Sequence, residues 1–175
     1  MADSASASGL SDLAIRLAKW IVAQCPDGRG DHVDLPAMTV AFADIPEKEL
    51  AEAIAELGMD GYVSTNQTPG ERLAHIRPEL DLYVSFDPVA GIGDPMSDAR
   101  ELIAQILAGE DAVNVAQLHA QTGWSLRRFN PAIGLVTSQI DPQRLSRTID
   151  QQYATRFFHL MPEDRVALKR FIKIP

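Results

Sequence analysis

The chain has 175 residues, 46% hydrophobic and 23% charged, a size and balance that allow one medium domain or two small ones in a soluble globular protein. Its single cysteine, Cys25, excludes an internal disulfide framework, and the predicted compartment is the cytoplasm. The net charge of −8 argues against strong nucleic-acid binding, but the charge is uneven: residues 1–97 hold 6 Lys+Arg against 16 Asp+Glu, whereas residues 112–175 hold 9 against 4.

Residues 1–10, rich in Ser and Ala, read as a disordered tail. They carry no basic segment leading into an apolar run, so no secretory signal is expected. No apolar stretch is long enough to span a bilayer, and no membrane role is expected. Ser11 and Asp12 cap a predicted helix to about Gln24, with Leu13, Leu17, Trp20 and Ile21 on one face. The turn-rich residues 25–31 end it. A short strand is predicted over 32–35, helices over 36–43 and 46–57, then strands over 62–66 and 73–76 flanking a turn at 68–71. Residues 80–86 (LDLYVSF) fit either strand or helix. Residues 88–96 (PVAGIGDPM) read as a linker between a first repeat, 11–87, and a second, 97–175.

In the second repeat, Ser97 and Asp98 are predicted to cap a helix to Ala108. Residues 113–140 then read as a short strand, a helix over 116–122, a tight turn at Gly123 and a second helix opened by Ser125. Leu126, Phe129, Ile133, Val136 and Ile140 form one apolar stripe at the helical period, the pattern of a helix-turn-helix. Strands are predicted over 144–149 and 154–161 around a polar tip at 150–152, with a last helix over 162–174. His75-Ile76-Arg77-Pro78-Glu79 returns as His159-Leu160-Met161-Pro162-Glu163, and the order of elements repeats with it. An internal duplication is therefore expected.

The order of elements, with the run 123–133 (GWSLRRFNPAI) and the passage 57–63 (LGMDGYV), resembles the winged-helix superfamily. The resemblance covers most of residues 11–174 and implies a mostly α, α+β fold: two winged-helix repeats, each of three helices and a small antiparallel wing. It also implies a third helix that enters a DNA groove and a wing that rests on the backbone. Ser125, Arg127, Arg128, Asn130 and Ser138 on the helix, with Arg144, Arg147 and Arg156 about the wing, would then be the DNA-binding residues. Arg suits this role because its fork grips phosphates or a guanine edge. Acidic paired winged-helix proteins of this size also include protein-binding subunits such as segregation and condensation protein B, whose signature is absent here.

The first repeat departs from the DNA-reading pattern. Glu47 and Glu49 crowd the start of its third helix, and Lys48, Glu52 and Glu56 face outward, where carboxylates would repel phosphates. It is therefore expected to make protein contacts through Lys48, Glu52 and Glu56, joined by an outward Pro131/Leu135 patch on the second repeat. The leading expectation is a DNA-binding, homodimeric transcriptional regulator; the alternative is a protein-interaction or scaffold module that does not bind DNA. No enzyme activity, cofactor or metal is expected. Cys25, Asp31, His32 and Asp34 share a loop but lack paired ligand spacing, Gly91-Ile92-Gly93 lacks the rest of a dinucleotide fingerprint, and His75 and His159 read as structural.

Overall fold

A computed structural model of the chain describes residues 9–30, 32–66, 73–146 and 152–173. The turn at 68–71, Asp31, Arg147 and most of the expected tail and wing tip lie outside the described residues. The fold is α+β and mostly helical, with two small antiparallel two-stranded sheets. The chain divides into two compact units: Met1–Cys25 with Gly30–Gly93, and Pro26–Arg29 with Asp94–Pro175.

The first unit is built from α1 (Asp12–Gln24), α2 (Leu35–Ala41), α3 (Glu47–Met59), β1 (Val63–Asn66), β2 (His75–Pro78) and α4 (Leu80–Ala90). Ser11 caps α1, its hydroxyl accepting the Ala14 N–H. Asp34 caps α2 in the same way, accepting from Ala37 N. This capping role explains why residues 32–35 do not form the expected strand: the segment gives up its extended course to open a helix. One ladder bond does survive there, Val33 N–H to Ile76 O at 2.9 Å. β1 pairs with β2 from Val63 opposite Pro78 to Asn66 opposite His75, a strand displaced two residues beyond the expected 73–76. Residues 80–86 belong to a helix, which closes on the left-handed Gly91 (φ 70°). α1 packs on α3 and α4, and Leu17, Ile21, Met38, Leu57, Ile76 and Leu82 are fully enclosed in the core.

The second unit holds α5 (Pro95–Ala108), β3 (Ala112–Asn114), α6 (Val115–Thr122), α7 (Leu126–Thr137), β4 (Phe157–His159) and α8 (Pro162–Phe171). A single 3-10 turn spans Pro142–Arg144, where a strand was expected to begin. The cap of α5 is Asp94, whose carboxylate accepts from Met96 N and Ser97 N, with Pro95 in the first turn. Ser97 and Asp98, expected as the cap, therefore lie inside the helix. The non-helical residues between α4 and α5 are only 91–94, shorter than the expected 88–96. β3 pairs with β4, and Leu145 makes a bridge to the other side of Phe158.

In both units the last strand is therefore the central one. It lies between an extended segment after the first helix and one after the third. α5 packs closely on α7, whose Phe129, Ala132, Ile133 and Val136 enter the core. No helix among the described residues is long and apolar enough to cross a membrane.

Candidate interaction surfaces

The α6–α7 turn is held by a small polar and aromatic assembly. Gly123 takes the left-handed conformation (φ 65°) that ends α6, and Ser125 opens α7 by accepting the Arg128 N–H. Between them stands His119. Its Nε2 lies 2.8 Å from the Trp124 carbonyl, and its Nδ1 lies 2.8 Å from the Tyr153 hydroxyl. A carbonyl only accepts, so Nε2 carries the hydrogen and Nδ1 accepts from Tyr153. The imidazole also stacks at 4.5 Å on Phe129, and Tyr153 meets both rings edge-on. The pairing of His119 with Tyr153 was not expected from the sequence. A histidine three residues inside a helix end gives no local sign of a partner 34 residues away.

Arg128 lies in the first turn of α7 as expected, but its guanidinium is already engaged. Its Nε and Nη2 donate to the two carboxylate oxygens of Asp98 at 2.9 and 2.6 Å, a bidentate pair. Its guanidinium centre sits 3.9 Å from the centroid of the Trp124 ring. The Asp98 side chain is 9% exposed against 43% for Arg128. The hydrogen bonds it donates to Asp98, opposed by burial, hold the Arg128 guanidinium more firmly protonated than usual. Fork and face are thus both engaged inside the unit. Arg127, half-buried, is also engaged.

Other expected residues on α7 point inward. Asn130 is buried, and its Nδ2 donates to the carbonyls of Asp27 (2.8 Å) and Gln152 (3.0 Å). Pro131 and Leu135, expected as an outward apolar patch, are buried too, because α7 is enclosed on more sides than its single stripe requires. Gly28 provides one of those sides. A Cβ added there would stand 2.7 Å from Pro131 Cδ and 2.8 Å from the Arg127 carbonyl oxygen, and its φ of +68° already favours glycine. Ser138 is exposed, its hydroxyl donating to Leu135 O.

Around the small sheet, Arg144 bridges Asp164 and Glu163 in the first turn of α8. Arg156 is exposed and engaged, with its carbonyl accepting the Val115 N–H. Arg165, not expected to matter, ties Asp111 and the carbonyls of Leu107 and Gly109. Burial acts against the ionised form of Asp164, but the Met161 N–H and the Arg144 guanidinium outweigh it. Its carboxyl therefore lies below the ordinary value of 3.8.

In the first unit, Lys48 and Glu52 are exposed and pair at 3.7 Å, one helical turn apart. Glu56, expected on the outward face, instead accepts from the Ser11 N–H and hydroxyl at 2.7 and 2.6 Å, fastening the start of α1 to α3. His75 meets His32 edge-on, with ring centroids 6.4 Å apart, whereas His159 is exposed beside Phe157.

A feature missed in the sequence lies beside α2. An apolar groove of about 660 Å³ is lined by α2 (Leu35, Val40), the α2–α3 connection (Phe42, Ile45), the first turn of α3 (Leu50) and Leu73. Its floor is firmly held. Phe42 is 2% exposed, with Trp20 edge-on at 5.9 Å and the Arg16 guanidinium 4.8 Å from its ring centroid. Arg16 is in turn paired with Asp44. Val40 stands at the lip, 78% exposed. The available signal was Val40 itself, an apolar residue on the side of a short helix away from buried Met38. Comparison with protein-family models, curated proteins and solved structures finds no match to this chain.

Proposed function

We propose that the chain is a protein–protein interaction module built from two winged-helix units, with the first unit supplying the docking surface. The winged-helix reading is supported by the order shared by the two units and by the central place of the last strand in each. The observation that carries the interaction reading is the apolar groove of the first unit, set in the acidic half of the chain. An exposed apolar cleft is a surface that proteins use for partners.

The arginines favour the same side. A DNA-reading helix needs open guanidinium forks, whereas Arg128 is committed to Asp98 and Trp124, and Arg144 to Asp164 and Glu163. Releasing Arg128 to a phosphate would strand a nearly buried carboxylate, at a cost that one surface phosphate contact does not recover. The basic excess after residue 112 keeps DNA binding by the second unit as the competing reading.

Two measurements on the purified full chain separate the two. Affinity purification with cross-linking is expected to recover one stoichiometric protein partner. Fluorescence anisotropy with random duplex DNA at low salt is expected to show no saturable binding. Binding that weakens steeply with salt, and is lost in Arg127→Ala/Arg128→Ala, would overturn the proposal in favour of DNA.

A further inference from the structure

The groove on the first unit has a chemistry that selects its occupant. Its walls are side chains of α2, the α2–α3 connection and the start of α3, not an open strand edge. Thr39, the one hydroxyl among the described lining residues, already donates to Leu35 O at 2.9 Å. An extended peptide laid here would face its backbone N–H and C=O groups with apolar carbon, which is costly. A helix satisfies its own backbone and brings an apolar stripe at the helical period.

Among the described residues, the charge around the groove is mostly negative. Residues 33–50 hold four carboxylates, Asp34, Asp44, Glu47 and Glu49, against Lys48 alone. With the pairs Arg16–Asp44 and Lys48–Glu52 included, five carboxylates, Asp34, Asp44, Glu47, Glu49 and Glu52, stand against two cations, so the balance stays acidic. An incoming helix with lysine or arginine beside its stripe is attracted, and an acidic one is repelled.

We infer that this groove is the docking site for a basic amphipathic helix of a partner protein, with the apolar stripe against Phe42 and Leu50 and its cations facing the surrounding carboxylates. The inference rests on the interaction reading above and gives it a partner class.

The test titrates the full chain into two labelled model helices with the same leucine stripe, one completed with lysine and one with glutamate. The lysine helix is expected to bind, and the glutamate helix to bind at least about tenfold more weakly. Val40→Asp, at an exposed site that the fold tolerates, is expected to weaken the lysine helix about tenfold or more. Ala43→Glu is a second groove variant should the first unfold on a thermal melt. Equal binding of the two helices, or unchanged affinity in both groove variants, would overturn the assignment. So would a dimer in sedimentation that dissociates on Val40→Asp, because the occupant would then be a second copy. A co-purified partner retained by Val40→Asp would leave the interaction reading intact while removing this site. Salt-sensitive DNA binding with no partner would remove both.

Discussion

Arg128 has two neighbours that fix what it can do. With Asp98 holding both sides of its fork and Trp124 under its face, it resembles a brace between α5 and α7 more than a surface contact. The difference is measurable as stability. An unengaged surface arginine changed to alanine shifts stability by no more than about 0.5 kcal/mol. Arg128→Ala instead leaves the Asp98 carboxylate nearly buried without its partner. After discounting for the half-exposed guanidinium, the expected loss is about 2 kcal/mol in urea unfolding. Arg128→Ala combined with Asp98→Ala is expected to recover part of that loss, since the stranded charge is gone. The pairing was not legible in the sequence because Ser97 and Asp98 look like a helix cap. The Asp94-Pro95 pair, one helical turn earlier, is the better cap, and recognising it frees Asp98 for another role.

At the scale of elements, what was legible is what is local. Ser11, Ser125 and Gly123 mark helix ends by backbone hydrogen bonding and left-handed geometry within a few residues, and α1, α6 and α7 lie close to where they were expected. The strands fared less well. Alternation over a few residues does not fix register, so β2 falls at His75–Pro78. α4 was readable only by analogy: the Pro-Glu after His75-Ile76-Arg77 precedes a helix, as Pro162-Glu163 opens α8.

The opening of α8 also sets an acid limit. Asp164 accepts from the Met161 N–H at 2.8 Å and from Arg144, and its folded pKa lies below its unfolded one. A depressed carboxylate contributes stability that is complete above the unfolded value and lost as pH falls through the folded one. Stability of the full chain is therefore expected to decline as pH drops below about 4. Asp164→Asn should be less stable at neutral pH and should show a shallower decline over that acid range, both followed by urea midpoints. Equal slopes in the two proteins would show that Asp164 does not carry the dependence.

For the whole molecule, the fold class was legible and the site was not. Hydrophobic period and cap chemistry act within one helix, whereas exposure depends on what arrives from elsewhere. One apolar stripe on α7 predicts one buried face. Asn130 and Pro131 are buried as well because residues 26–29 and Gln152 close over them, and Leu135 is buried on the same helix. The same non-local closure gives a test at this scale. Gly28→Ala forces a side chain against Pro131 and the Arg127 carbonyl at a left-handed φ, with an expected cost of about 2 kcal/mol or more. Hydrogen exchange should place the loss in α7, with α3 unaffected, although the substitution lies in the loop that follows α1.

Residues 26–29 belong with a unit whose remaining residues begin only at Asp94. During synthesis the ribosome therefore releases this four-residue piece well before the helix it serves exists. The first unit has to mature with the loop held open, and the second closes only after its own C-terminal portion has emerged. A gene cut at the 91–94 break would give a first product carrying a stray loop and a second lacking the floor beneath α7. Complementation between two such fragments would then depend on the glycine at position 28.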